Sequence, residues 1–323
     1  MKHLVIGGCG FIGSNLATYL NSLGEEVTVL DNLSRVGSEI NLRWLEKMGV
    51  KSIRADVLEQ DIFNPEDFDV IYMLAGQTAV THSVENPRHD FMVNVTGVFN
   101  VLETIRKSVK KPRLVFASTN KVYGHLQINQ PCDESTPLDF YTPYGCSKGT
   151  ADQYIRDYAR IFDLCTTVLR QSCIYGHRQW GTEDQGWLAW FALRILQEKE
   201  ITIFGDGSQV RDLLYISDLV ELYYKIASAP KEIVQGKIYN VGGGLENSRS
   251  LSEAIYEINK YTGKNPKLIF APERPGDQPY FVSDNTKLKK ELSWEPKINV
   301  NQGLLKLLTW LEKGAIPYYN QKQ

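Results

Sequence analysis

A glycine-rich turn between a short apolar run and a helical pattern constrains the fold of this chain more than any other feature. The run His3–Ile6 leads directly into Gly7–Gly13, which reads GGCGFIG with the spacing G-x-x-G-x-x-G, and a helical pattern opens near Phe11. Glycine allows the tight turn and lets backbone N–H groups approach a diphosphate, and the helix N-terminus adds positive charge. The segment therefore predicts a dinucleotide-binding βα unit, although glycines also make ordinary turns.

Short apolar runs alternate with amphipathic stretches through the N-terminal half, among them Phe91–Lys107 and Ser147–Phe162. This alternation predicts βαβ units and hence an α/β fold with a Rossmann-type, doubly wound parallel sheet. Ligands bind at the carboxyl ends of the strands in such sheets, so we expect the polar residues at those ends to line one edge. These residues are Asp31, Asp56, Ala75-Gly76, Thr119 and Arg170.

The pattern changes after about Cys173, where turns rich in glycine and proline appear and the helices shorten. We expect a Rossmann domain over residues 1–172, with a segment at about 211–241 returning to it. Residues 173–323 are expected to form mainly a smaller α/β C-terminal lobe that binds the substrate.

Composition excludes several function classes. The net charge of −2 predicts no general attraction to nucleic acid or to anionic membranes, and no apolar run reaches the ~20 residues of a membrane span. Five scattered cysteines without a C-x-x-C pair favour free thiols in a reducing, cytoplasmic setting. No histidine or cysteine spacing indicates a metal site.

Asp31 indicates which dinucleotide the turn binds. It lies 24 residues after Gly7 at the end of the second strand, where a carboxylate accepts hydrogen bonds from ribose hydroxyls and repels a 2′-phosphate. NAD is therefore favoured over NADP, with Arg35 as the one nearby residue that favours the phosphate. The predicted cofactor-binding residues are Gly7, Gly10, Phe11, Ile12, Gly13, Asp31, Asn32, Asp56, Val57, Leu74, Ala75, Gly76, Asn94, Tyr144 and Lys148.

Tyr144 and Lys148 form the candidate catalytic pair, because a spacing of four places both side chains on one face of a helix. A nearby ammonium and a positively charged nicotinamide favour the phenolate of a tyrosine whose free pKa is ~10. Tyr144 then removes a hydroxyl proton while hydride leaves the same carbon. Thr119 ends the fifth strand, and its hydroxyl is placed to orient the substrate oxygen, although it also suits a solvated strand end.

Three motifs together resemble the extended short-chain dehydrogenase/reductase family of nucleotide-sugar epimerases and dehydratases. They are Gly7–Gly13, Thr119 with Val122–Gly124, and Tyr144–Lys148. The resemblance implies that Tyr144 is the active-site base, Lys148 its partner and Thr119 the hydroxyl residue, and that NAD stays bound through each cycle. Dehydratases of the family place an Asp-Glu pair after the threonine. Asn120-Lys121 stands here instead, which argues against 4,6-dehydration.

Longer strings resemble the family branch that inverts C2 of CDP-linked hexoses through a transient 2-keto sugar. The strings include Ser118–Gly124, Asp133–Thr136, Pro143–Gly149 and Gln209–Asp212. The segment His125–Cys132 is shorter than in the epimerases that act on CDP-paratose, which leaves CDP-glucose open as the substrate. A UDP-sugar 4-epimerase would share every catalytic residue, and a non-catalytic dinucleotide sensor would not need Tyr144 or Lys148.

The resemblance also implies residues that bind the substrate and a mode of assembly. Arg211 and Arg274 are expected at the substrate phosphates, although surface arginines are the plainer interpretation. Trp190 is expected to belong to the aromatic face by which its helix packs into the lobe. A homodimer is implied, formed by the helices Phe91–Lys107 and Ser147–Phe162. The predicted substrate-binding residues are Thr119, Asn120, Lys121, Gln185, Arg211 and Arg274.

Overall fold

A computed structural model describes residues 1–126 and 129–316. The strands are β1 (Lys2–Ile6), β2 (Glu26–Asp31), β3 (Lys51–Arg54), β4 (Val70–Met73), β5 (Arg113–Thr119), β6 (Thr166–Gln171), β7 (Cys173–Tyr175), β8 (Ile201–Phe204), β9 (Val210–Tyr215), β10 (Lys237–Val241), β11 (Ser248–Ser250), β12 (Leu268–Ala271) and β13 (Tyr280–Phe281). The α-helices are α1 (Phe11–Ser22), α2 (Ser38–Lys47), α3 (Val80–Glu85), α4 (Pro87–Phe91), α5 (Gly97–Lys107), α6 (Pro143–Phe162), α7 (Trp187–Leu196), α8 (Ile216–Ser228), α9 (Lys231–Val234), α10 (Leu251–Thr262), α11 (Thr286–Leu292) and α12 (Val300–Trp310).

The main sheet has seven parallel strands in the order β10-β6-β5-β4-β1-β2-β3, which confirms the predicted doubly wound fold. Successive side chains of a strand point to opposite faces. Val5 therefore packs into one apolar core, and its neighbours Leu4 and Ile6 pack into a second core on the other face. Burial on both faces explains why these strands read as continuous apolar runs rather than as alternating patterns.

The C-terminal strands form two smaller sheets. Strand β9 pairs with β7, β11 and β13, while β8 pairs with β12. Strand β10 lies in the main sheet, and α8 packs against α1. The segment that returns to the main sheet thus begins after β9 rather than at Arg211, because β9 is held by its pairing in the smaller sheet. The division of the chain into two domains stays a prediction.

Two predicted helices differ from the observed ones in ways that concern the site. The helix expected over Phe91–Lys107 contains a π-helical stretch, Met92–Thr96, between α4 and α5. Helix α6 begins at Pro143 rather than at Ser147, because the Thr142 hydroxyl accepts a hydrogen bond from the Gly145 N–H and proline suits the first turn. Both catalytic candidates therefore lie in the first two turns of α6.

No helix within residues 1–126 and 129–316 combines the length and the apolar character that crossing a membrane requires. All five cysteines are free thiols.

Candidate functional site

The glycine turn is built from close backbone approaches. The Gly7 and Gly8 N–H groups both donate to the Leu30 carbonyl, at 2.7 and 3.2 Å, and Gly7 has a φ of +81°. A Cβ on Gly13 would stand 2.2 Å from the Gly7 carbonyl oxygen, so a side chain there has no room. At Gly10 a Cβ would meet only that same oxygen, at 3.3 Å. The turn therefore leaves an open cradle in front of α1, which fits a diphosphate.

Asp31 joins the end of β2 to this turn. Its carboxylate accepts hydrogen bonds from the Cys9 N–H at 2.9 Å and from the Leu33 N–H at 2.8 Å. Burial raises the pKa of Asp31, whereas these backbone donors lower it. Each carboxylate oxygen keeps further acceptor capacity, which suits ribose hydroxyls.

The end of β3 lies beside the end of β2. The Asn32 amide donates to the Asp56 carboxylate at 2.8 Å, and Val57 is buried against Gly97. The structure thus places Asn32, Asp56 and Val57 next to Asp31 at one edge of the sheet, where the sequence predicted them.

The loop after β4 lies between the glycine turn and α6, the helix that carries Tyr144 and Lys148. The Leu74 and Ala75 N–H groups both donate to the Ile6 carbonyl at 2.9 Å. A Cβ on Gly76 would stand 2.9 Å from Asn94 Oδ1 and 3.8 Å from Lys148 Nζ. A side chain at position 76 would therefore press on the Asn94 amide, so the loop suits a glycine here.

The structure gives Asn94, one of the predicted cofactor-binding residues, hydrogen-bond partners within the protein. It is fully buried in the π-helical stretch, where its Oδ1 accepts from the Gln77 N–H at 3.0 Å. Its amide nitrogen donates to the carbonyl of the same Gln77, at 3.1 Å. The π-helical turn lets the side chain reach this loop, so Asn94 positions the loop.

Tyr144 and Lys148 lie side by side in the first two turns of α6, both buried. The Lys148 ammonium donates to the Ala117 carbonyl at 2.6 Å, near the end of β5. Thr119, also in β5, makes a side-chain hydrogen bond with Tyr144. The structure thus brings the three predicted catalytic residues together.

Burial shifts the pKa values of the pair in opposite directions. It raises the pKa of Tyr144 to about 12 and lowers the pKa of Lys148 to about 7. Burial therefore disfavours both the phenolate of Tyr144 and the ammonium of Lys148. A positive charge next to the phenol is needed before a phenolate forms at neutral pH.

A cavity of about 240 Å³ is lined by Lys121, two residues after Thr119, and extends into the C-terminal lobe. Four of the predicted substrate residues line it, whereas Thr119 and Asn120 do not belong to its lining. Trp190 also lines the cavity, so its role is not confined to packing α7 into the lobe. The four lining residues are Lys121, Gln185, Arg211 and Arg274.

The three cations of this cavity are partly neutralised. Arg211 donates to Asp277 at 2.7 Å, and the Lys121 ammonium lies 3.7 Å from the same carboxylate. Arg274 lies 3.5 Å from Asp184. Burial and the neighbouring Arg211 together lower the pKa of Lys121 to about 8. Near Lys121 two cations, Lys121 and Arg211, thus share the carboxylate of Asp277, an arrangement that suits an anionic ligand.

Two other predicted residues have roles that the sequence did not indicate. Arg170 does not line the edge, because it is buried in a bidentate ion pair with Asp152 at 2.8 and 3.1 Å. The guanidinium of Arg35 donates to Thr78 Oγ1 at 3.0 Å and to Gln185 Oε1 at 2.8 Å. Arg35 therefore bridges the loop after β4 and the C-terminal lobe.

Sequence reasoning missed Asp277, which orders Lys121 and Arg211, and Asp90, which lies beneath the catalytic pair. Asp277 was visible only as part of a turn, and Asp90 only as one polar residue before a predicted helix. No His, Cys, Asp or Glu cluster that would hold a metal occurs in residues 1–126 and 129–316. Within the segment His125–Cys132, Gln127 and Ile128 lie outside the described residues.

Comparisons with known proteins agree with this geometry. A family model described as "NAD dependent epimerase/dehydratase family" matches residues 3–242. The chain is 41% identical to a CDP-paratose 2-epimerase of Salmonella typhi, over 96% of this chain and 99% of the relative. It is 32% identical to a UDP-glucose 4-epimerase of Mycolicibacterium smegmatis, over 95% of this chain and 97% of the relative.

Solved structures give the same result. The UDP-glucose 4-epimerase of Thermus thermophilus, solved in complex with NAD, matches with a TM-score of 0.88 and 32% identity, covering 98% of this chain and 100% of that chain. The family resemblance predicted from the motifs is confirmed, as is the use of NAD. The chain belongs to the NAD-dependent epimerase/dehydratase family.

Proposed function

We propose that this enzyme inverts C2 of a CDP-linked hexose, either CDP-paratose or CDP-glucose, through a transient 2-keto sugar. The observation that carries the proposal is the 41% identity to a CDP-paratose 2-epimerase over nearly the full length of both chains. The strings Ser118–Gly124 and Pro143–Gly149, which surround the catalytic residues, support the same branch of the family.

The residues present fit NAD. The cradle at Gly10 suits the diphosphate, and the Asp31 carboxylate retains acceptor capacity for the ribose. NAD supplies the acceptor and donor of the hydride and a positive charge beside the phenol of Tyr144.

Tyr144 acts as the base that removes the proton from the C2 hydroxyl. The ammonium of Lys148 stabilises the phenolate form of Tyr144 that accepts this proton, and the Thr119 hydroxyl orients the sugar oxygen. The phenol returns the proton after the keto sugar has rotated and presents its opposite face. No net oxidation results, because C2 both loses and regains a hydride.

The residues after Thr119 argue against dehydration. Lys121 points into the cavity, with Gly276 O at 3.3 Å and Asp277 Oδ1 at 3.7 Å. Asn120 is buried and pairs with Gln278 at 3.3 Å. Neither residue supplies the pair of carboxylic acids that eliminates water in dehydratases of the family. An epimerase needs no such pair.

We assign the substrate diphosphate to Arg211 and Arg274. Both line the cavity, and both present a planar fork that suits phosphate oxygens. Asp277 and Asp184 hold the two guanidinium groups in position through the ion pairs described above. The arginines are thus oriented before a substrate arrives.

We further propose a homodimer in the cytoplasm. The outer faces of α4, α5 and α6 expose Phe91, Phe99, Tyr154 and Ile161, and the Phe99 and Tyr154 rings lie 5.9 Å apart. Apolar side chains grouped in this way favour burial against a second copy. Size-exclusion chromatography with light scattering tests this assembly, and a monomer at micromolar concentration contradicts it.

The function is tested by incubating the purified enzyme separately with CDP-glucose, CDP-paratose and UDP-glucose and identifying each product by NMR. We expect C2 inversion of at least one CDP-sugar. Conversion of UDP-glucose to its 4-epimer without turnover of either CDP-sugar overturns the proposal and favours a UDP-sugar 4-epimerase.

A further inference from the structure

Asp90 is a buried carboxyl group beneath the catalytic pair for which the mechanism above has no role. It lies in α4 and is 1% exposed. Its Oδ1 accepts from Asn94 Nδ2 at 3.1 Å, and its Oδ2 has no hydrogen-bond partner in the described part of the chain. Burying a carboxylate with an unpaired oxygen costs free energy, so such a group calls for an explanation.

The hydrogen bonds around Asp90 lead to the catalytic helix. The Asn94 amide nitrogen also donates to Ser147 Oγ and to the Gln77 carbonyl, each at 3.1 Å. An amide nitrogen has two hydrogens, which are here shared among three acceptors, so Asp90 is only partly satisfied. Ser147 in turn donates to the Tyr144 carbonyl at 3.2 Å and is the residue before Lys148. Asp90 is thus linked through two side chains to the turn that carries the catalytic pair.

The charges around Lys148 single out Asp90. Burial lowers the pKa of Lys148, and two carboxyl groups oppose this effect, namely those of Asp90 and Asp152. Asp152 is already held in the bidentate ion pair with Arg170. Asp90 has no cation at salt-bridge distance among residues 1–126 and 129–316. Of these two carboxyl groups, Asp90 is therefore the one without an ion-pair partner of its own in the described part of the chain.

Few other charged or titratable groups lie around Asp90 and Lys148. Burial raises the pKa of Asp90, whereas Ser147, Lys148, His89 and Asn94 lower it. His89 is exposed on α4. Tyr144 faces both Asp90 and the guanidinium of Arg35.

We propose that Asp90 is a positioning residue of the epimerase reaction, whose buried carboxylate favours the charged form of Lys148 and holds the first turns of α6 in register with Asn94. The proposal rests on the roles assigned to Tyr144 and Lys148 under the proposed function. Asp90 does not touch the substrate; it acts through Lys148 and through the Asn94–Ser147 hydrogen bonds.

The carboxylate raises the pKa of both members of the pair, since a negative charge favours the protonated form of each. Asp90→Asn removes this charge and lowers both pKa values. The active enzyme needs a protonated Lys148 and a Tyr144 that is able to lose its proton. Both limbs of the bell-shaped pH profile therefore move to lower pH, by about one unit each.

The experiment measures kcat/KM between pH 5.5 and 10 for the wild type, Asp90→Asn, Asp90→Glu and Glu85→Gln, using the nucleotide sugar that the NMR panel identifies. We expect the shift in Asp90→Asn, its partial reversal in Asp90→Glu, and the wild-type profile in Glu85→Gln. Glu85 is exposed five residues before Asp90, so its variant loses an equal charge without changing the buried network. A reduced rate with unmoved limbs in Asp90→Asn means a purely structural role and overturns the proposal.

Two further measurements keep the test decisive. If Asp90→Asn does not fold, Asp90→Ala is measured instead, and trace acetylation of Lys148 against pH, read by mass spectrometry, reports the pKa of the lysine directly. An unchanged Lys148 pKa contradicts the proposal. Tyr144→Phe runs in the same assay. If Tyr144→Phe stays active, the proposed function of the pair fails; if it is inactive while Asp90→Asn keeps the wild-type profile, only the role of Asp90 fails.

Discussion

Two regions of the site are built from different parts of the chain, namely the cofactor edge, formed by Gly7–Gly13 and Asp31, and the substrate cavity, lined by Lys121, Arg211 and Arg274. The cofactor edge consists mostly of backbone, as at Gly7 and Gly13, where a side chain would collide with the backbone of a neighbouring segment. The cavity consists of side chains from segments far apart in the sequence, and Arg211 and Asp277 are joined across 66 residues. A site made of backbone imposes glycines at fixed spacing, whereas a site made of side chains leaves no local pattern. This difference explains why the first is visible in the sequence and the second is not.

The largest effect is expected at the proposed catalytic pair, Tyr144 and Lys148, because both the cofactor and the substrate depend on it. Tyr144→Phe removes the hydroxyl that takes the substrate proton while keeping the ring, so we expect kcat to fall by at least ~10³-fold. Tyr141→Phe is the matched control, because Tyr141 is exposed three residues earlier. Product NMR measures both variants. Wild-type turnover by Tyr144→Phe contradicts the assignment of the base.

The backbone character of the cofactor edge is tested at Gly13. Gly13→Val forces a side chain against the Gly7 carbonyl oxygen, so we expect loss of bound NAD and a fall in Tm. Gly24→Ala serves as the control. Gly24 has a φ of +78° and no neighbour within 4 Å of a Cβ, so its variant loses about 1 kcal/mol and retains NAD. Extraction of NAD and thermal unfolding measure the two effects. A Gly13→Val enzyme that purifies with a full complement of NAD contradicts the close packing described for this turn.

The side-chain character of the cavity is tested at Arg211. Arg211→Met removes the guanidinium but keeps much of the volume, so we expect KM to rise roughly 10- to 100-fold, since a charged hydrogen bond contributes about 1.5–3 kcal/mol. A smaller change in kcat is expected, because Arg211 lies away from the reacting carbon. Arg43→Gln, on the exposed face of α2, controls for the loss of charge. Steady-state kinetics measure KM and kcat for both variants. An unchanged KM in Arg211→Met contradicts the assignment of Arg211 to the substrate diphosphate.

The smallest expected effect concerns His177, whose carbonyl accepts from Asn15 in α1 and whose ring contacts Tyr215 in β9. Burial lowers the pKa of His177 to about 4, and its ring nitrogen pairs with the Tyr215 hydroxyl at 3.1 Å. The folded state therefore binds fewer protons than the unfolded state, whose histidine has a pKa near ~6.5. Its contribution to stability is complete above about pH 6.5 and is lost as the pH falls towards 4.

His177→Gln should therefore flatten the pH dependence of the free energy of unfolding in that window. Part of the dependence remains, because burial lowers the pKa of His3 as well. His82→Gln is the control, since His82 is exposed. Urea unfolding at several pH values measures the slopes, and equal slopes for His177→Gln and wild type contradict the assignment.

The sequence by itself determined the doubly wound sheet, the glycine turn, Asp31 and the pairing of Tyr144 with Lys148. Each depends on a local pattern: apolar runs buried on both faces, glycines where backbone segments touch, and a helical spacing of four. The family followed from the same strings.

Tertiary structure alone decided the rest. Asn94 turned inward because a π-helical turn carries it to Gln77, and Arg170 was neutralised by Asp152 inside the sheet. Asp277 and Asp90 gained their places only when distant segments packed together. The physical reason is that charge pairing and burial depend on which elements become neighbours, and no spacing along the chain encodes that. The two halves of this site thus differ in how far the sequence alone reveals them.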